Sequence, residues 1–225
     1  MKTMIKNASV AICMLCATGA FAQTLQDAIR YTESEQYEKA KAVLKKLVAA
    51  DPNNGDNYFY FGDLMLKEES PDSAFILFKK GTDINPTNPL THVGLGRYYM
   101  YQGKNTEGQQ ELTNAKSLVQ ATAGKKDMGM TPKRQALIDL EIAETYIWAP
   151  TPDIQQALDL IATAEKLDKD NPEVYLQRGD ALYKKDPVNG SPANAAYIIA
   201  AQKDPKSCKA YLRMGDIIAN GQNMV

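Results

Sequence analysis

Small residues recur along this chain on a fixed beat. Ala28, Gly62 and Gly96 stand 34 residues apart, and Ala40, Ala74 and Gly108 follow each of them by 12. Pro52 and Pro86 repeat the 34-residue interval. In the second half the interval stretches to 36 through Ala143, Gly179 and Gly215, with Ala157 and Ala193 each 14 after the small residue before it. A period of this length marks one supersecondary unit that cannot bury its apolar face alone, so the chain must fold as a stack.

Within each unit, apolar residues at helical spacing flank a short polar turn, as in "FGDLMLKEESPDSAFILFKKG", where the turn is Glu68-Glu69-Ser70-Pro71. The unit therefore reads as helix-turn-helix. A glycine inside a helix costs about 1 kcal/mol against alanine, so the glycines of the first helices need a compensating reason. Close approach of the second helix supplies one, with Ala74 expected opposite Gly62. Pro52 and Pro86 stop second helices, and Asn88-Pro89 and Asn171-Pro172 start the next ones, because proline suits a first turn and not a helix interior.

These residues resemble the tetratricopeptide repeat (TPR) family. The second unit carries the family pattern in Tyr58, Phe61, Gly62, Ala74, Phe78, Gly81 and Pro86, and the fifth in Tyr175, Gly179, Ala193, Tyr197, Ala200 and Pro205 around a turn two residues longer. The resemblance implies an all-α fold, a right-handed superhelical α-solenoid of about five and a half units. Units 1 to 3 occupy residues 23–121, an insertion covers 122–131, and units 4 and 5 with the first helix of a sixth occupy 132–225. The third unit lacks its closing proline and the fourth has Lys169 there, so array geometry is expected to change between the two blocks while the stack stays continuous.

The start of the chain is a separate text. Lys2 and Lys6 precede the apolar run "ASVAICMLCATGAFA", and Ala20-Phe21-Ala22 is a small-x-small cleavage site, so residues 1–22 read as a signal peptide and the mature chain is expected to begin at Gln23 outside the cytoplasm, periplasmic or secreted. The run is too short to cross a bilayer core about 30 Å thick, and no later run reaches the length of a membrane helix. Cys16 follows Leu15, where lipid attachment wants a small residue. Cleavage removes Cys13 and Cys16 and leaves Cys208 without an intramolecular partner, expected as a small, half-buried residue.

Composition and motifs exclude several function classes. The makeup is ordinarily globular, 44% hydrophobic and 24% charged, and the formal net charge of -1 offers no basic stripe, so nucleic acid is not an expected partner. The mature chain has one histidine, His92, at a helix start, read as a packed or capping residue. Zinc would need more histidines or thiolates, and "AGKKD" lacks P-loop spacing. Asp63 and Asp180 are read as solvated-face carboxylates and Asn189-Gly190-Ser191 as turn chemistry. We expect no enzyme and no cofactor.

What the resemblance leaves is a concave surface lined by first helices, where the family binds peptides or proteins. Its groove positions fall on Phe59, Tyr60, Asp63, Arg97, Tyr101, Glu144, Trp148, Gln177, Asp180 and Tyr183. Aromatics and arginine carry much of the energy in such interfaces. Asp63, Asp180 and Asp216 stand where the family's carboxylate clamp uses asparagine, so a terminal carboxylate is not the expected ligand. The expected function is a non-enzymatic scaffold that holds a protein or peptide partner and supports assembly of an envelope or secretion complex. The alternative is a docking segment of a longer enzyme or outer-membrane assembly factor. "CKAYLRMGDIIANGQNMV" supplies a first helix with no second, which leaves self-association through the incomplete unit open. If that helix instead served as a cap, Tyr211, Met214, Ile217 and Ile218 would pack on the fifth unit, with Lys209, Arg213 and Asp216 toward solvent.

Overall fold

The computed structural model describes residues 23–125 and 129–222, so the signal peptide expected over residues 1–22 lies outside the described residues. The described residues form eleven helices and no strand: α1 (Leu25–Glu33), α2 (Tyr37–Ala50), α3 (Gly55–Lys67), α4 (Pro71–Ile84), α5 (Pro89–Tyr101), α6 (Asn105–Thr122), α7 (Pro132–Trp148), α8 (Ile154–Leu167), α9 (Pro172–Lys185), α10 (Ser191–Lys203) and α11 (Cys208–Gln222). Consecutive helices pair, and α3, α5, α7 and α9 also pack on one another in series. None of the helices among the described residues is long and apolar enough to cross a membrane.

Local chemistry sets the boundaries. Asn54, Asn88 and Asn171 cap the starts of α3, α5 and α9 by accepting from the backbone two residues on, and Pro89, Pro132 and Pro172 occupy first-turn positions whose N–H would have no helical partner. In the first three units the turn between paired helices passes through one left-handed residue, Glu35 (φ 57°), Glu69 (φ 55°) and Gly103 (φ 71°).

The glycines do what a tight helix pair requires, with one correction. A Cβ on Gly62 would collide with the ring of Phe78, not with Ala74, and the same ring fills the space over Gly94. Long helical side chains lean toward the helix N-terminus, so Phe78 covers the surface one turn before it, beside Ala74. Tyr197 lies over Gly179 in the same way. At Gly96 and Gly108 the backbones themselves approach: a Cβ on Gly96 would sit 3.2 Å from the carbonyl of Gly108.

The array changes where the insertion falls. α6 runs for 18 residues and packs little on α7, whereas α4 packs closely on α5 and α8 on α9. Its link to the fourth unit is polar, through Tyr146 Oη donating to Gln109 (3.0 Å), Lys116 over the Tyr146 ring (5.1 Å) and Asn105 donating to Thr151 (3.2 Å). Continuity runs through the first helices instead: α5 packs on α7 as α3 packs on α5. Two further expectations are corrected. Cys208 is exposed rather than half-buried. On α11, Met214 and Ile217 pack against the core, but Tyr211, Leu212 and Ile218 are exposed, and nothing lies within 4 Å of a Cβ placed on Gly215.

Candidate functional site

A cavity of about 330 Å³ occupies the concave face, and every residue lining it lies on a first helix or at the start of one. α1 contributes Gln26, Ile29, Thr32 and Glu33; α3 Tyr60, Asp63 and Lys67; α7 Leu137, Leu140, Glu141 and Glu144; α9 its cap Asn171 with Glu173 and Gln177; and α11 Lys209. The solenoid is curved tightly enough for its last described helix to reach its first: Lys209 Nζ lies 3.0 Å from Glu33 Oε1. Lys209 and Arg213 therefore turn inward rather than to solvent. Arg213 donates to Asp180 at 2.9 Å and, with Lys184, flanks the ring of Trp148 at 5.6 and 5.3 Å. A second cavity of about 200 Å³ abuts the first, sharing Lys67, Glu144, Glu173, Gln177 and Lys209 and extending to Trp148 and Asp180.

Behind the cavity wall stands Arg97, 2% exposed. Its Nη1 donates to Asp63, its Nη2 to Glu141 (2.7 Å), Glu144 (3.0 Å) and the Glu141 carbonyl (3.0 Å), and its Nε to Thr145 (3.2 Å). The guanidinium also lies 5.5 Å from the centre of the Phe59 ring. A parallel clamp joins Arg134 bidentately to Asp56 (2.7 and 2.8 Å), which also accepts from Asn88 (2.7 Å). The first clamp ties α3 to α7 through Arg97 of α5, and the second ties α3 to α7 directly.

The charges around the cavity are unevenly neutralised. Burial pushes Asp63 up, yet Lys67 and Arg97 outweigh it and hold the carboxyl below its usual range. At Glu141 burial wins, helped by Glu144 and Asp63 against Arg97, and its pKa rises to about 7. Burial likewise raises Glu173, with Lys209 opposing, and raises Asp180 against Arg213 and Tyr197. Gln177 donates through Nε2 to Glu173 (3.1 Å), and its Oε1 is buried with no hydrogen-bond partner. No group of three or more side chains suited to a metal ion converges among the described residues.

The ten groove residues expected from sequence divide by depth. Tyr60, Asp63, Glu144 and Gln177 meet on the main cavity; Trp148 and Asp180 join the adjoining one; Tyr183 lies beyond it with Asp180, Arg213 and Asp216. Phe59 and Arg97 are corrections: Phe59 is wholly buried against Phe78, and Arg97 is consumed by its carboxylates, so neither offers itself to a partner. Tyr101 is half-buried beside Arg97, its hydroxyl pushed up to about 12 mainly by burial. Sequence reasoning missed Glu33, Lys67, Glu141, Glu173 and Lys209. The signal was present for some of them, since Glu33, Lys67, Tyr101 and Trp148 each stand five residues after the small residue of a unit. His92 is half-buried between Glu111 (2.7 Å) and the Pro86 carbonyl (3.0 Å), and the bond to Glu111 leads in raising its pKa.

No protein-family model matches the sequence, and no curated protein matches it. Solved structures do match the fold. TTC0263, a thermophilic TPR protein of Thermus thermophilus, superposes with a TM-score of 0.58 at 17% identity over 87% of this chain and 100% of its own. The fold is a tetratricopeptide-repeat solenoid. The human IFIT1 dimer with m7Gppp-AAAA superposes with a TM-score of 0.60 at 16% identity, over 89% of this chain and 47% of that one. At these identities the likeness is one of architecture alone.

Proposed function

We propose that the protein is a non-enzymatic TPR scaffold that works outside the cytoplasm, holding a protein or peptide partner on its concave face in support of an envelope or secretion assembly. The observation that carries the binding part is the cavity system framed by five first helices, with a half-exposed tryptophan at its edge. Aromatic anchors at the rim of a concave, partly polar site are what peptide recognition uses. The leader Met1–Ala22 carries the exported part of the reading. The nucleotide in the human neighbour does not transfer, because five carboxylates line this cavity and a phosphate chain would meet repulsion.

The test is selection of peptides from a display library on residues 23–225, with affinities then measured for Tyr60→Ala and Trp148→Ala. Selected peptides should lose about tenfold in affinity, a change of about 1.4 kcal/mol, while circular-dichroism melts stay close to the parent. Variants that fold and bind as before would remove the concave face from consideration. For export, intact-mass analysis of envelope material should give a chain beginning at Gln23, and retention of Met1 would defeat it.

A second reading is favoured by α11. Its exposed Tyr211, Leu212 and Ile218 and the open space over Gly215 offer a seat like the one Phe78 occupies over Gly62. On this reading the repeats are the docking segment of a longer polypeptide, or a second subunit completes the unit. Light scattering of residues 23–225 and the reading frame past Val225 separate these from the first reading.

A further inference from the structure

We propose that His92 is a pH-sensitive latch on the third unit, holding α6 in both of its protonation states and the corner between α4 and α5 only as a cation. The latch is independent of what the concave face binds.

The two ring nitrogens both meet acceptors: Nδ1 lies 2.7 Å from Glu111 Oε2 on α6, and Nε2 lies 3.0 Å from the Pro86 carbonyl in the corner. A neutral imidazole has one N–H and one lone pair, so it can serve only one of these contacts as a donor; the imidazolium serves both. Placing the proton on the carboxyl instead would also join all three groups, but imidazole is the stronger base by about two pKa units and keeps it. Asn114 donates to the same Glu111 oxygen at 3.5 Å, as it would to a carboxylate. The pair is little exposed, 13% at the His92 side chain and 22% at Glu111. The bond to Glu111 raises the pKa of the ring, burial opposes it and the Pro86 carbonyl adds to the rise; the same bond leads in lowering Glu111. Other charges nearby are few. Lys79 of α4 acts on Glu111 and is itself paired with Asp83 at 2.6 Å, and among the described residues no charged group of α3 or α7 acts on the ring.

When the ring loses a proton, one contact must fail. Loss from Nδ1 would set a lone pair against a full negative charge at 2.7 Å, whereas loss from Nε2 sets it against a neutral carbonyl. The charge-assisted bond is the stronger, so Nδ1–H stays on Glu111 and the corner is let go. Asn88, two residues after Pro86, caps α5 and donates to Asp56, the carboxylate that Arg134 of α7 grips. The released corner thus adjoins the second clamp between α3 and α7. Because the folded pKa is raised, the latch stabilises fully below the ordinary value of about 6.5, and its contribution is lost as pH rises through the folded value.

The chain has one histidine, so its ring signals are unambiguous. The experiment follows the imidazole nitrogens of residues 23–225 by nuclear magnetic resonance from about pH 5 to about pH 10, with the Pro86 carbonyl and Asn88 amide signals recorded alongside. Both nitrogens should carry protons at the acid end, the midpoint should lie above the ordinary value, and the proton that remains should sit on Nδ1. The corner signals should move with the same midpoint. Glu111→Gln should bring the midpoint down. A midpoint at or below the ordinary value, a remaining proton on Nε2, or corner signals that stay still while the ring titrates would each overturn the latch, the last by making His92 a static fixture. The measurements on the parent chain decide the question even where the variant fails to fold.

Discussion

At the scale of single residues, the buried carboxylates show most directly where physical expectation and sequence part company. Asp139 on α7 is 6% exposed, and its Oδ2 has no hydrogen-bond partner. Burial raises its pKa to about 6, with Lys116 opposing only through space. The ordinary unfolded value is near 3.9, so between roughly pH 4 and pH 6 the folded state holds the proton that the unfolded state has released. Stability from this group is therefore undiminished below about pH 4, falls as pH rises through the folded pKa, and is fully reduced above it. Asp139→Asn should raise the melting temperature by about 4 to 8 °C at pH 8, for a gain of about 2 kcal/mol, and by almost nothing at pH 4. Thermal melts of both proteins across that range check it, and a pH-independent difference would assign the gain to packing. Nothing in the sequence around Asp139 marks it as buried: it reads as one more polar residue on a helix, and only the tertiary environment of α7 turns it into a cost.

At the scale of elements, the helices and turns were legible and the ion clamps were not. The asparagine and proline caps, the small residues and the 34-residue beat locate the helix pairs without tertiary information. Spacing also identifies the first-helix face, because Asp63, Arg97, Glu144 and Asp180 all stand one place after the small residue of their units. Equivalent positions in successive units lie side by side, so these charges form a ladder of alternating sign from Asp63 to Glu144. Sequence placed Arg97 in that groove but could not say that three carboxylates would close around it. The consequence reverses its expected role: Arg97 fastens α3, α5 and α7 where α6 gives α7 little support. Arg97→Ala should cost about 3 to 5 kcal/mol by leaving buried carboxylates uncompensated, and lower the melting temperature by about 10 °C or more. Arg97→Lys should restore only part of this, since an ammonium has no planar fork. Denaturant melts of the two variants provide the check; an alanine variant as stable as the parent would mean that the ladder contributes nothing net.

At the scale of the whole molecule, period and composition gave the architecture, while the curvature came from the summed packing of five units and has no local signature. That is why the groove positions taken one unit at a time missed Lys209 and the space it closes with Glu33. A solenoid in which each unit touches only its neighbours is a line, and its units can loosen from either end. The contact between α11 and α1, across 176 residues, turns that line into a coil whose ends abut. The pair is half-exposed and screened, worth less than about 1 kcal/mol, so it registers the coil's shape more than it enforces it. Small rotations at any unit add up along the stack, and the gap between the two ends is their running total. A change of pitch at any unit would therefore appear, summed along the stack, in the distance from Glu33 to Lys209.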